Sequence, residues 1–363
     1  MGFAPQAAID HAALRHNLRQ VRKAAPDSRI WAVIKANAYG HGIVRVAKAL
    51  ATADGYAVAR VDEALRLRQI GINKPLLILE GTFTLEDTRA AVELDCQLTV
   101  HSEYQVHLLE QLQTDRAVSV WLKVDTGMHR LGILAERLDQ MATRLHACSV
   151  VGELNLMTHL ANADDRTDAT TERQCGRFDQ LRLDKFKQLS IANSAGLMAF
   201  PATRRDWVRP GIMLYGVSPF INSLAMDEGL RPVMTFSSRV IAVNHCLLGD
   251  PVGYGGAYHC PEAMPVAVIG VGYGDGYPRH AGHGTPVLLR NRRLPLIGRV
   301  SMDMICVDAR EIPDLEIGEP VVLWGKGLPV EEIAAAAGSI GYELLCGVTQ
   351  RVDFIDLHAE GED

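Results

Sequence analysis

Residues 30–51, IWAVIKANAYGHGIVRVAKALA, contain one complete repeat of the fold. The stretch from Ile30 to Lys35 is a short apolar, β-rich run, and residues 36–42 form a turn with two glycines. From His41 to Ala51, Ile43, Val46, Ala47 and Leu50 fall on a single helical face. The alternation then continues along the chain. Further β-rich runs begin near Tyr56 (YAVAR), Leu76 (LLILEG), Leu98 (LTV), Val118 (VSVWLKVD), Val150 (VVGELNLMTH), Leu189 (LSIAN) and Asp206 (DWVR). Helical patterns cover Val61 to Ile70, Ser102 to Leu112 and Ala135 to His146. Eight strand–helix units at a spacing of about 25 residues predict an α/β fold, a (β/α)8 TIM-like barrel. A doubly wound sheet is the alternative that shares this alternation.

The texture changes after about Met226. From Val233 to Trp324 the chain is β-branched and turn-punctuated (FSSRVIAVNHC, VAVIGVGYG, PVLLRNRRLPLIG, MICVDA, PVVLWG), with one helix expected from Val330 to Ala337. The boundary is placed within residues 222–230. The predicted domains are a barrel over residues 1–226 and a C-terminal β-rich domain over 227–363.

Composition narrows the function classes. The 363 residues carry 37 Lys+Arg against 43 Asp+Glu, a net charge of −6, which argues against a dedicated nucleic-acid binder. No apolar run approaches the ~20 residues of a membrane span, and the N-terminal MGFAPQ lacks the pattern of a signal peptide. The seven cysteines are scattered and form no Cys-x-x-Cys pair, so no disulfide framework or zinc site is expected. His280 and His283 lack neighbouring ligands, and no metal is expected there. A cytoplasmic location follows from the absence of such signals.

Two constellations carry chemistry. Lys35 closes the first barrel strand, where side chains point to the mouth that holds the chemistry of such barrels. A partly desolvated lysine can form a Schiff base. Alone, it would read better as a strand-end lysine entering a loop. The second constellation is Ile191–Gly196 (IANSAG) and Trp207–Ile212 (WVRPGI), at the ends of strands seven and eight. Those loops form the recurring phosphate site of (β/α)8 barrels. A Schiff-base lysine and a phosphate cradle across one mouth suggest pyridoxal 5′-phosphate.

The chain resembles the alanine racemase family, fold-type III enzymes dependent on pyridoxal phosphate. The resemblance rests on VIKANAYGHG around Lys35, KVDTGMHRLG from Lys123, MTHLANAD from Met157, NSAG from Asn193 and RPGIMLYG from Arg209. VGYGGAY from Val252, VGYGDGYPR from Val271 and GRVSMDM from Gly298 complete it, in order from Ile30 to about Arg351. It implies interconversion of L- and D-alanine, serving peptidoglycan synthesis or alanine catabolism. Lys35 would hold the coenzyme and act as one base, and Tyr254 as the base on the opposite face. A tyrosine near its free pKa of ~10 needs cationic help for that role.

Arg209 matches the residue facing the pyridine nitrogen, positioned by His159. Tyr39, Ser194, Gly211 and Ile212 match phosphate contacts. Arg130 matches a residue at the coenzyme oxygen and substrate carboxylate, Met302 and Asp303 the loop over that carboxylate, and Tyr273 an entrance residue. Lys123 matches a lysine carboxylated in many relatives, and an unmodified Lys123 beside Asp125 stays open. Two departures stand out: His129 where many relatives have Gly, and Gln350 where some have a phosphate-binding Tyr. The resemblance also implies a homodimer, with the second domain reaching a partner's barrel mouth. The rival readings are a racemase of serine, lysine or a broader set, a non-catalytic pyridoxal-phosphate-binding protein, and a decarboxylase of the same fold.

Overall fold

The computed structural model describes residues 4–358, so the first residues read for a targeting signal and the last of the 227–363 domain lie outside the described residues. The chain divides into two compact units. One runs from Arg15 to Leu214 with the short segment Pro219–Ser223. The other gathers the N-terminal stretch through Leu14, Tyr215–Ser218 and the chain from Leu224 onward.

That division differs from the sequence reading at the N-terminus, which placed residues 1–226 together. Strand β1 (Gln6–Asp10) runs antiparallel to β10 (Met234–Cys246) and parallel to β18 (Asp353–Leu357), within the second unit. Its sequence, QAAID, has two alanines and little β propensity. Its strand state comes from being hydrogen-bonded on both sides, a tertiary effect that local patterning does not display.

The first unit is a closed parallel barrel of eight strands: β2 (Arg29–Val33), β3 (Gly55–Val58), β4 (Leu76–Ile78), β5 (Cys96–Val100), β6 (Val118–Lys123), β7 (Val151–Met157), β8 (Leu189–Ser190) and β9 (Trp207–Val208). The doubly wound alternative is therefore excluded, since β9 pairs back to β2 and closes the ring. Because both faces of a parallel strand are covered, these strands read as continuous apolar runs. The helical patterns appear as Ile43–Ala49, Val61–Gln69, Glu103–Gln111 and Leu138–Ala147. Ser102 caps the third, its Oγ accepting from the Gln105 N–H.

Three tryptophans fill one level of the barrel. Trp31 stacks on Trp207 with centroids 4.2 Å apart, and Trp121 meets Trp207 edge-on at 6.5 Å. Such pairs contribute about 0.5–1.5 kcal/mol beyond burial. The Trp121 and Trp207 indoles donate to Gln97 and Gln188, so these polar edges are satisfied. Gly55 makes room for the cluster, because a Cβ there would lie 2.3 Å from the Trp31 ring.

The second unit is a curled, mainly antiparallel sheet of eight strands that comprises β1, β10, β13 (Met264–Ile269), β14 (Pro286–Leu289), β15 (Arg292–Ile297), β16 (Ile305–Asp308), β17 (Pro320–Trp324) and β18. The first part of the long β10 pairs with β1 and β17 and its later part with β13, with a register shift between Val240 and Ala242. A separate hairpin, β11 (Pro251–Val252) and β12 (Tyr258–His259), holds Tyr254 at its tip. The expected helix forms over Val330–Ala336, and a second over Gly341–Gly347 follows it.

Candidate functional site

Lys35 stands two residues past the end of β2, and the backbone then does something unusual. Ala36, Asn37, Ala38 and Tyr39 all have positive φ, 53°, 52°, 56° and 49°, a left-handed helical turn built without glycine. Each such residue costs roughly 1–2 kcal/mol relative to a right-handed turn. The turn is therefore heavily tied. Ala38 N–H donates to Ile34 O (2.9 Å), Gly40 N–H to Ala36 O (3.0 Å) and Gly42 N–H to Asn37 O (2.8 Å). Asn37 Oδ1 accepts from Ile43 N–H at 3.0 Å, joining the turn to the next helix. His41 is fully buried, and burial pushes its pKa down to about 4. The neutral ring holds the Tyr39 and Ala38 carbonyls through Nδ1, at 2.9 and 3.1 Å.

Beside it around the ring, past the ends of β8 and β9, Ser194 Oγ accepts from the N–H groups of Gly211 (2.9 Å) and Met213 (3.4 Å), so its own proton is free to be donated. Tyr39 reaches this point. Its hydroxyl lies so near Gly211 that a Cβ there would sit 2.6 Å from it. Ser194, Gly211, Ile212 and Tyr39 are all buried, and they form a small polar cradle in an apolar surround.

Arg209 is buried and tied to the barrel by its Nη2, which donates to the carbonyls of Thr158 and Ile191, and by its Nη1, which donates to Ser190 Oγ. His159 Nδ1 lies 3.5 Å from Nη2, a marginal contact beside those bonds. Burial lowers the Arg209 pKa to about 10, which still leaves it cationic at neutral pH. Burial, followed by the charges of Arg209, Lys123, Arg130 and Lys35, holds His159 well below its usual range, so it is neutral.

Lys123 ends β6, nearly enclosed, and its pKa is lowered to about 8. Burial is the main cause, and Arg209, Arg130 and Lys35 add to it against the single opposing charge of Asp125. Burial would raise the Asp125 pKa, but N–H bonds from Gly127, His129 and Met128 hold it below the usual value. His129 Nδ1 lies 3.1 Å from Asp125 Oδ2, and His129 itself has a φ of 56°. His129 thus occupies a left-handed position, one that favours glycine, with its ring held by Asp125. Arg130 follows it and is exposed.

The remaining sequence-predicted residues lie in the second unit. Tyr254 is 71 % exposed at the tip of its hairpin, between glycines with φ of 72° and 70°. Met302, Asp303 and Tyr273 are also exposed. Tyr273 N–H and Gly274 N–H donate to Ser301 O and Met302 O, tying the two loops together. Asp303 Oδ1 accepts from Arg351 at 2.7 Å, and Arg351 also approaches Asp275 at 3.4 Å. The Asp303 carboxylate thus shapes the loop, leaving backbone groups to meet any anion.

Comparison with known proteins places this arrangement. The family model for the alanine racemase N-terminal domain matches residues 9–219, and that for the C-terminal domain matches residues 233–355. The alanine racemase of Coxiella burnetii is 48% identical over 357 residues, covering 97% of this chain and 98% of its own. That of Nitrosococcus oceani is 49% identical over 349 residues, covering 96% and 98%.

The chain belongs to the alanine racemase family.

Among solved structures, the biosynthetic alanine racemase of Pseudomonas aeruginosa superposes with a TM-score of 0.96 at 42% identity, covering 98% of this chain and 100% of that one. The Bartonella henselae alanine racemase, solved with covalently bound pyridoxal phosphate, gives 0.89 at 28% identity, covering 98% and 99%. The chain is therefore an amino-acid isomerase of the alanine racemase type. Its family is dependent on pyridoxal phosphate. Among the described residues no group of three His, Cys, Asp or Glu side chains could hold a metal, and no helix is long and apolar enough to cross a membrane.

Sequence reasoning singles out neither Glu63 nor His41. The left-handed turn that gives them their roles has no glycine among Ala36–Tyr39 to announce it.

Proposed function

We propose that this racemase holds pyridoxal phosphate at the mouth of its barrel and moves the Cα proton of alanine between two bases on opposite faces. The observation that carries the reading is the charge of the mouth. Lys35, Arg130 and Arg209 all lie near enough to act on Lys123 and His159, with Asp125 as the carboxylate opposing them at Lys123. Such a mouth suits a dianionic phosphate and a carboxylate substrate. The cradle of Ser194, Gly211, Ile212 and Tyr39 fits a phosphate, since it offers the Ser194 and Tyr39 hydroxyls and a backbone open to close approach.

Lys35 would hold the coenzyme covalently. When bound, pyridoxal phosphate withdraws electrons and acidifies the substrate Cα–H. Lys35 Nζ then takes or returns the proton on one face, and the Tyr254 hydroxyl does so on the other. Arg209 would face the pyridine nitrogen as a hydrogen-bond donor that keeps its proton, since its pKa stays at about 10. Withholding that proton limits electron withdrawal and favours proton return over side reactions. Arg130 would orient the substrate carboxylate, and the loop of Met302 and Asp303, with Tyr273, would come from a second copy to bound the substrate.

Lys123 is a candidate for carboxylation. With a pKa near 8, much of its amine is unprotonated at mildly alkaline pH, and addition of CO2 would turn a fourth cation into an anion beside Arg130. Tyr254 is exposed on the chain and would act in the barrel of a second copy, making the working form a homodimer in the cytoplasm. The test is absorbance of the purified protein together with Cα–H exchange of L- and D-alanine in deuterated water. A lysine-bound coenzyme band and exchange with both enantiomers are expected. Lys35→Ala should lose the band and at least about a thousandfold in rate. A wild type without the band would overturn the reading.

A further inference from the structure

Glu63 sits in the first turn of the helix Val61–Gln69, is only 8 % exposed, and lies outside every role assigned above. Its two carboxylate oxygens are both engaged by main chain. Oε1 accepts from the Ala36 N–H at 2.7 Å, and Oε2 accepts from the Ala59 N–H at 2.8 Å. Ala36 is the residue after Lys35 and the first of the left-handed turn, and Ala59 directly follows β3. Ile34 N–H meanwhile donates to Ala57 O at 2.9 Å, continuing the β2–β3 ladder. Beyond that point the chain turns left-handed and the ladder cannot extend. The carboxylate takes its place, bridging the ends of two adjacent strands where their own carbonyls no longer reach.

We propose that Glu63 is a positioning residue for the racemase reaction, its carboxylate fixing the peptide that follows Lys35 so that Lys35 and Tyr39 are presented together to the coenzyme. The inference rests on the proposed coenzyme role of Lys35 and deepens it. Three features support it. The bond is made to the peptide that carries the strain, since Ala36 is the first of four residues at positive φ. Both oxygens are used on N–H groups that the strand ladder leaves without a carbonyl partner. The side chain starts in the first turn of its helix, four residues beyond Ala59, so one carboxylate spans both strand ends. No neutral side chain of the same shape can do this. Glutamine has one acceptor oxygen, and its amide would set N–H against N–H.

The test uses the holoenzyme of wild type, Glu63→Gln and Glu63→Asp, with Asp62→Asn on the exposed face of the same turn as control. Four readouts are followed: amide hydrogen exchange of peptides spanning 34–42, affinity for added pyridoxal phosphate, trapping of Lys35 by borohydride, and kcat and KM for alanine. In Glu63→Gln, exchange in 34–42 should quicken about tenfold and coenzyme affinity fall about tenfold, the effect of one lost charge-assisted bond. Lys35 trapping should slow. The kcat should fall about 10–100-fold with KM within about twofold, because substrate contacts are untouched. Glu63→Asp keeps the charge but not the reach, and should resemble Glu63→Gln. Asp62→Asn should match wild type. A folded Glu63→Gln with wild-type exchange, affinity and kcat would overturn the proposal. So would loss of the folded state in both variants, which would make Glu63 a determinant of the fold. A wild type that holds no coenzyme on Lys35 would instead refute the underlying reading, a separable outcome.

Discussion

The barrel mouth and the loops of the second unit each supply candidate residues, but in opposite physical condition. At the mouth, Ser194 and Arg209 are each 4 % exposed and Lys123 is 8 % exposed, with Ser194 and Arg209 held by named hydrogen bonds. In the second unit, Tyr254 is 71 % and Met302 51 % exposed. A catalytic group must be held to a fraction of an ångström by its surroundings. The mouth meets that demand within one chain. The hairpin of Tyr254 meets it only against another surface, which is why a second copy is the proposed partner. On the proposed reading pre-organisation is uneven, with the coenzyme half built by folding and the second base brought by assembly.

The contrast can be broken most directly at Tyr254. Tyr254→Phe should cut proton abstraction from L-alanine about 100–10,000-fold and from D-alanine much less. Stability should change by no more than about 0.5 kcal/mol, since the side chain is exposed. Equal loss on both enantiomers, read from deuterium incorporation, would remove the one-face assignment. Gly211→Ala probes the other half. Its new Cβ would meet the Tyr39 hydroxyl at 2.6 Å, so denaturant unfolding should show a loss of about 1–3 kcal/mol. An undiminished coenzyme affinity in that variant would show that the cradle is looser than described.

A pH-dependent effect concerns Lys123. Its folded pKa, about 8, lies below the ordinary 10.5, so the unfolded chain binds the proton more tightly. The neutral amine therefore favours folding fully above pH 10.5, and that contribution fades as pH falls through 8. The stability difference between wild type and Lys123→Met should accordingly move in favour of wild type as pH rises across that window. Labelled bicarbonate should reverse the disadvantage at lower pH if the amine is carboxylated. A flat difference with and without bicarbonate would leave Lys123 a passive lysine.

What could be read beforehand follows from where information resides. The eight barrel strands were legible because parallel strands covered on both faces are apolar throughout, and even β8 and β9, two residues each, sit inside longer apolar runs. β1 was not legible, because QAAID becomes a strand only between β10 and β18. Residues that would bond or touch a ligand were legible through resemblance and through their place at strand ends. Residues that hold other residues were not. Glu63 and His41 act on peptide groups of a left-handed turn, and nothing in Ala36–Tyr39 marks that conformation. His129 stood out as a departure, but its pairing with Asp125 needed coordinates.

The central claim, one base from the barrel of each copy and one from the second unit of its partner, is tested most directly by mixing two inactive forms. Lys35→Ala and Tyr254→Phe, co-expressed at equal levels, should form hybrids with one intact site and one doubly defective site. Random pairing would then restore roughly a quarter of wild-type racemisation. If the mixture shows only the summed residual rates of the two variants while hybrids are present, both bases belong to the same chain and the shared site is wrong.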